Sequence, residues 1–118
     1  RIIFGNDAPS GTGIIPLGIL RNICQVASVS DIPGEIALCM ATGNSAKVYN
    51  KLNTGIIAVG READLVFMDA PMGSVANTAV EAFECGDIPG LSIIMVDGVI
   101  KAAKSRNTPP CKRAAKVI

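Results

Sequence analysis

The chain opens on an apolar run, Arg1-Ile2-Ile3-Phe4, that turns at once into Gly5-Asn6-Asp7-Ala8-Pro9-Ser10-Gly11. A short apolar run closed by Gly, Pro and Ser predicts a buried strand followed by a turn. Beyond it Ile15, Leu17, Ile19, Leu20, Ile23, Cys24, Val26 and Ala27 recur at a spacing closer to helix than to strand, so residues 14–29 predict a helix. The stretch Ser30-Asp31-Ile32-Pro33-Gly34-Glu35 then offers a capping hydroxyl, an early proline and a first-turn acid. A second helix follows through Ile36, Ala37, Leu38, Met40 and Ala41 and stops at Thr42-Gly43. Asn44 is placed to cap a short third helix over Ser45-Ala46-Lys47-Val48-Tyr49.

The pattern changes at Leu52-Asn53-Thr54-Gly55. Ile56-Ile57-Ala58-Val59, between two glycines, and Leu65-Val66-Phe67-Met68, between two aspartates, both predict strands. Val75, Ala79, Val80 and Phe83 predict a helix over residues 75–85, with Gly86 supplying a left-handed C-terminal cap. Residues 91–96 and 99–103 predict strands around Asp97-Gly98, the dipeptide best suited to a type I′ hairpin turn. Residues 105–118, which include Pro109-Pro110, predict an irregular arm. The pattern divides the chain into a β/α unit over residues 1–50, a mostly β module over 51–104 and the arm. An apolar strand at the edge of the chain, and four strands where a closed sandwich needs more, point to partners encoded upstream. The chain therefore reads as the C-terminal piece of a larger α/β protein, with open sheet edges that predict poor solubility for the piece alone.

Composition narrows this. Of 118 residues, 49% are hydrophobic and the mean hydropathy is +0.42, which excludes general disorder, while an aromatic content of 3% is lean for an independent core. The apolar runs are too short for a membrane span and nothing resembles a signal peptide, so the expectation is a cytoplasmic protein without membrane contact. The net charge of +1 is unevenly distributed: all 10 acids lie in the first 97 residues with 5 bases, and the remaining 6 bases lie in the last 21 residues. Lys101, Lys104, Arg106, Lys112, Arg113 and Lys116 could mark an anion-binding patch. Without interleaved aromatics for base stacking, they read instead as a solvated arm, or one lying on the acidic remainder or a neighbouring subunit, and no nucleic-acid partner is expected.

The four cysteines, Cys24, Cys39, Cys85 and Cys111, lack C-x-x-C spacing and read as buried reduced thiols. The chain has no histidine, which removes Ser/His and Cys/His nucleophile schemes and a self-contained histidine metal site. Asp7 stands where a strand gives way to a Gly/Pro/Ser turn, a common position for catalytic groups in parallel α/β proteins, and equally suited to a capping aspartate. Ser10, Gly11 and Thr12 share its loop and could line a pocket with hydroxyl and N–H groups, or simply make the turn. Asp64 reads as structural at a strand entrance; Glu62, Asp69 and Asp97 read as turn or surface acids.

Four segments in order resemble the C-terminal part of the amidohydrolase superfamily: Gly5-Asn6-Asp7-Ala8-Pro9, Ala41-Thr42-Gly43-Asn44-Ser45-Ala46-Lys47, the stretch from Gly55 to Val66, and Val96-Asp97-Gly98. Ser45 departs from the proline of many relatives, at a helix cap. The resemblance implies the last strand and helices of a (β/α)8 barrel followed by part of a small β-sandwich. It implies a metal-dependent hydrolase that cleaves the C–N bond of a cyclic amide, such as the ring of 6-oxo-tetrahydronicotinate in nicotinate degradation. A dihydroorotase- or hydantoinase-like substrate, and a non-catalytic assembly or binding module, stand as alternatives. It further implies Asp7 as metal-site carboxylate and general base and acid, a binuclear site of zinc alone or with iron, and a homotetramer. Because the family's histidines and carboxylated lysine have no counterpart here, the isolated 118-residue chain is expected to bind no catalytic metal and hydrolyse no amide. Metal analysis and a hydrolase assay on the purified chain check this; stoichiometric metal with turnover would contradict it.

Overall fold

The computed structural model describes residues 2–6 and 15–118. Its elements follow in the order α1 (Gly18–Val29), α2 (Gly34–Ala41), α3 (Gly43–Val48), β1 (Leu65–Asp69), α4 (Ala79–Glu84), β2 (Gly90–Val96) and β3 (Val99–Ala102). The three strands form one antiparallel sheet with β2 in the middle.

Helix α1 buries Ile23, Cys24 and Ala27 and turns Arg21, Gln25 and Ser28 to solvent, the face that its apolar spacing predicts. Its buried stripe meets Ala37 of α2 and Phe83 of α4, both wholly inaccessible. Alanines at the contact let the helices approach, and one phenylalanine fills the space where they meet. A second small cluster, Ala70, Ala76 and Ala82, seats α4 against the loop that follows β1.

The predicted boundaries shift where local hydrogen bonds compete with the helix. Ser30 does not cap α2: its hydroxyl donates to Val26 O at 2.6 Å and accepts from Ile32 N at 3.2 Å, closing α1 instead. The first N–H of α2, on Gly34, is satisfied from α4, by the Glu84 carboxylate at 2.9 Å. Thr42, not Asn44, stands at the N-cap of α3. Helix α4 starts four residues later than its apolar spacing suggests. Thr78 Oγ1 accepts from Glu81 N at 3.2 Å while Glu81 Oε2 accepts from Asn77 N at 2.7 Å, a reciprocal cap that sets the start. Its far end closes as predicted, with Gly86 at φ 84° and Asp87 N donating to Ala82 O at 2.8 Å.

Two predicted strands do not form among the described residues. Residues 2–6 pair with no strand, and Arg1 lies outside the described residues. Ile56-Ile57-Ala58-Val59 is bent into loop: its end is consumed by a turn in which Arg61 N donates to Ala58 O at 3.2 Å, and Glu62 N returns to Asn53 O at 3.1 Å. The hairpin between β2 and β3 does form, with Asp97 at φ 51° and Gly98 at φ 72°, the two positive values of a type I′ turn. Asp64 Oδ1 accepts from Asp97 N at 2.9 Å and Ala63 O accepts from Gly98 N at 3.1 Å, so the hairpin tip is tied to the entrance of β1. That is the structural role expected of Asp64.

The arm carries no helix or strand of its own, yet it is fastened. Thr108 Oγ1 accepts from Leu91 N at 3.1 Å, Pro110 O from Met72 N at 2.8 Å, and Ala70 O from Lys112 N at 2.8 Å. Arg113 then grips Asp69 with Nε to Oδ2 at 2.8 Å and Nη2 to Oδ1 at 2.7 Å, and its backbone N–H adds a third bond to Oδ2 at 3.0 Å. Asp69 is therefore no surface acid: it is buried at the end of β1 and paired with the arm, which lies on the acidic remainder. The cysteines also depart from expectation. Only Cys24 is buried; Cys39 and Cys85 are exposed and Cys111 is half-buried, all as free thiols.

Truncating Phe83 to alanine removes the ring on which three helices meet and is expected to cost about 3–5 kcal/mol, measured by denaturant unfolding. The arm predicts a pH dependence. The hydrogen bonds from the Arg113 side chain hold the Asp69 carboxyl at about 2, below its ordinary 3.8. Because the folded value is the lower, the stabilisation is complete above the unfolded value and is lost as pH falls from about 4 towards 2. The amide of Arg113, read by hydrogen exchange across that window, should lose protection; Asp69→Asn should already lack it at neutral pH.

Candidate functional site

The loop that holds Asp7, Ser10, Gly11 and Thr12 lies outside the described residues; the structure describes its two ends. On the incoming side, residues 2–6 are held by two asparagine side chains from the helices. Asn44 Nδ2 donates to Ile2 O at 3.1 Å and Asn22 Nδ2 donates to Gly5 O at 3.0 Å. Phe4 packs against the cluster around Ile23 and Phe83. An extended segment without a neighbouring strand would leave its carbonyls to water, and these two amides satisfy them while the phenyl ring anchors the chain.

On the outgoing side, Gly18 N donates to Ile15 O at 3.4 Å, and Arg21 N makes the first helical bond of α1 to Leu17 O at 2.9 Å. Leu17 sits in the left-handed region at φ 60° and ψ 14°, a conformation that bulky residues adopt at a steric cost. The two ends of the loop meet, because the Asn6 side chain lies against Gly18 where any β-carbon would overlap it. The candidate loop thus leaves and returns at the amino end of α1. That end carries no acid in its first turn and, among the described residues, no side-chain cap, so its N–H groups and positive dipole end favour an anionic group nearby.

The other acids singled out from the sequence do not join this place. Asp64 and Asp97 are tied to each other at the hairpin, Asp69 is committed to Arg113, and Glu62 is exposed on the loop after Gly60. Cys24 is no nucleophile: burial, and then the charge of Asp87, push its thiol above the ordinary value. Among the described residues no three His, Cys, Asp or Glu side chains converge to hold a metal ion. The described residues alone therefore do not form the metal centre that the sequence resemblance implies. No described helix is long and apolar enough to cross a membrane.

Sequence reasoning missed Asn22 and Asn44, the side chains that position the approach to Asp7. The available signal was slight: Asn22 interrupts the apolar spacing of α1 immediately before Ile23, and Asn44 was accounted for as a helix cap.

No model of a protein family matches the chain. Among curated proteins, the enamidase of Eubacterium barkeri is 66% identical over 118 residues, covering all of this chain and 30% of the enamidase. Adenine deaminase 2 of Desulfotalea psychrophila is 31% identical over 113 residues, covering 96% of this chain and 17% of the deaminase. The crystal structure of enamidase, described as a new member of the amidohydrolase superfamily, superimposes with a TM-score of 0.94 at 66% identity over the whole chain. The chain spans about 30% of the length of the enamidase it matches. The likeness bears out a mixed helix-and-strand portion of that fold. With two thirds of its residues identical to a member structure that it follows from end to end, the chain belongs to the amidohydrolase superfamily.

Proposed function

We propose that this chain is the portion of a cyclic-amide hydrolase that contributes Asp7 to the active site, acting in the full-length protein on an enamidase-type substrate such as 6-oxo-tetrahydronicotinate. The observation that carries this reading is the unbroken likeness to enamidase, 66% identical with a TM-score of 0.94 over every residue of the chain. The described geometry supports it. Asn6, the residue before Asp7, lies against Gly18 at the amino end of α1, and the approach to it accepts hydrogen bonds from Asn22 and Asn44. A carboxylate introduced next to a helix amino end is stabilised in its ionised, proton-accepting form.

In this reading Asp7 takes a proton from the attacking water and returns it to the nitrogen that leaves as the ring opens, so one carboxylate serves as base and then as acid. Ser10, Gly11 and Thr12 supply hydroxyl and N–H contacts to the substrate. Zinc, alone or with iron, would take its other ligands from the rest of the polypeptide, and the enzyme is read as a cytoplasmic homotetramer. Residues 1–50, 51–104 and 105–118 would then be barrel end, sandwich portion and arm.

The test is Asp7→Asn in the full-length protein. Removing the proton acceptor while keeping the shape should lower turnover by about 10²–10⁴-fold with little change in KM and an unchanged circular dichroism spectrum. Turnover within a few-fold of the parent would refute the assignment of Asp7.

A further inference from the structure

The three residues ahead of Asp7 are each held in a different way. Phe4 packs its ring on the cluster around Ile23 and Phe83, Gly5 O accepts from Asn22 Nδ2 at 3.0 Å, and the Asn6 side chain rests on Gly18. Two of these holds come from one face of α1, because Gly18 and Asn22 stand four residues apart on the helix. The helix that follows the candidate loop thus grips the chain that enters it, at the two positions immediately before the carboxylate.

Fastening alone does not account for the Asn22 contact. Gly5 is exposed, and among the described residues nothing stands within 4 Å of where its β-carbon would be, so water can satisfy its carbonyl and the bond adds little to stability. Gly5 is also the residue with the most backbone freedom between the anchored ring of Phe4 and Asp7. A donor on its carbonyl removes that freedom at the one joint where the approach could swing. At Gly18 the constraint is steric: a β-carbon would stand 2.8 Å from Asn6 Cγ and closer still to Oδ1, so only glycine lets the Asn6 side chain lie there. Leu17, in the left-handed region at φ 60° just before it, adds backbone strain of the kind that persists where the surroundings over-determine a conformation.

We propose that Gly18 and Asn22 are positioning residues of the hydrolase: one helical face that sets the direction in which the chain delivers Asp7, so that its carboxylate meets the attacking water. They touch no reacting group and act through Asp7 alone. The inference rests on Asp7 being the proton carrier and deepens that reading by naming what aims it. A displacement of about 1 Å at a reacting group costs on the order of 100-fold in rate, so a weak contact at Gly5 governs turnover while contributing little to folding.

Asn22→Leu and Gly18→Ala, each made in the full-length protein with and without Asp7→Asn, test it by steady-state kinetics. With Asp7 present, each is expected to lower kcat by about 10–100-fold while KM stays within about two-fold. The unfolding midpoint should barely move, alanine being the better helix former at residue 18. In the Asp7→Asn background the same substitutions should cost less than about three-fold, because a group that acts through Asp7 has nothing left to aim. Independently of activity, peptides covering residues 2–8 should exchange their amide hydrogens about ten-fold faster in Asn22→Leu. Parental kcat in both variants would overturn the proposal, as would parental exchange over residues 2–8 or losses that multiply fully with that of Asp7→Asn. Full turnover in Asp7→Asn itself would refute the role of Asp7 and this inference with it, which separates the two failures. If Asn22→Leu does not fold, Gly18→Ala carries the test by itself.

Discussion

The fold hangs on a single ring. Phe83 is wholly inaccessible at the point where α1, α2 and α4 meet, surrounded by Ile23, Cys24, Ala27 and Ala37. Small neighbours make this possible, since alanines let the backbones close around one aromatic group, and the scarcity of other aromatics leaves no substitute for it. The consequences spread outward. Phe4 reaches the candidate loop's approach by packing on the same cluster, and the Glu84 carboxylate, one residue beyond Phe83, completes the start of α2. The position of Asn6 beside Gly18 is thus downstream of how one side chain is buried.

What the sequence made legible was local. The Asp97-Gly98 turn, the left-handed cap at Gly86 and the buried stripe of α1 each depend on residues a few positions apart, and each is found where the spacing places it. The misreadings share an opposite cause. Ile2 to Phe4 and Ile56 to Val59 have strand composition, but a strand exists only with a partner, and their surroundings supply amide clamps and turns instead. Asp69 looked like a surface acid because Arg113 is 44 residues away. Helix α4 was overextended because Val75 fits a 3.6-residue period, although it is 84% exposed ahead of the Thr78 cap.

The candidate site was legible in a different way. Asp7 could be singled out by its place after an apolar run, but nothing in spacing decided between turn and chemistry. The structure adds the mounting: two asparagines, a phenylalanine and a glycine that together bring both ends of the loop to one helix end. These are polar and small residues whose purpose appears only when distant parts of the chain are in contact, which is why no periodicity announces them.

The grip of Arg113 on Asp69 also has a meaning for synthesis on the ribosome. The carboxylate leaves the exit tunnel well before its cation, because 44 residues separate them. At about 5–20 residues per second, the end of β1 waits roughly 2–9 s with its acid unpaired. During that interval the first sheet strand has only a provisional hold on the nascent chain, and the last turn of the key is given by a residue translated near the close of this stretch.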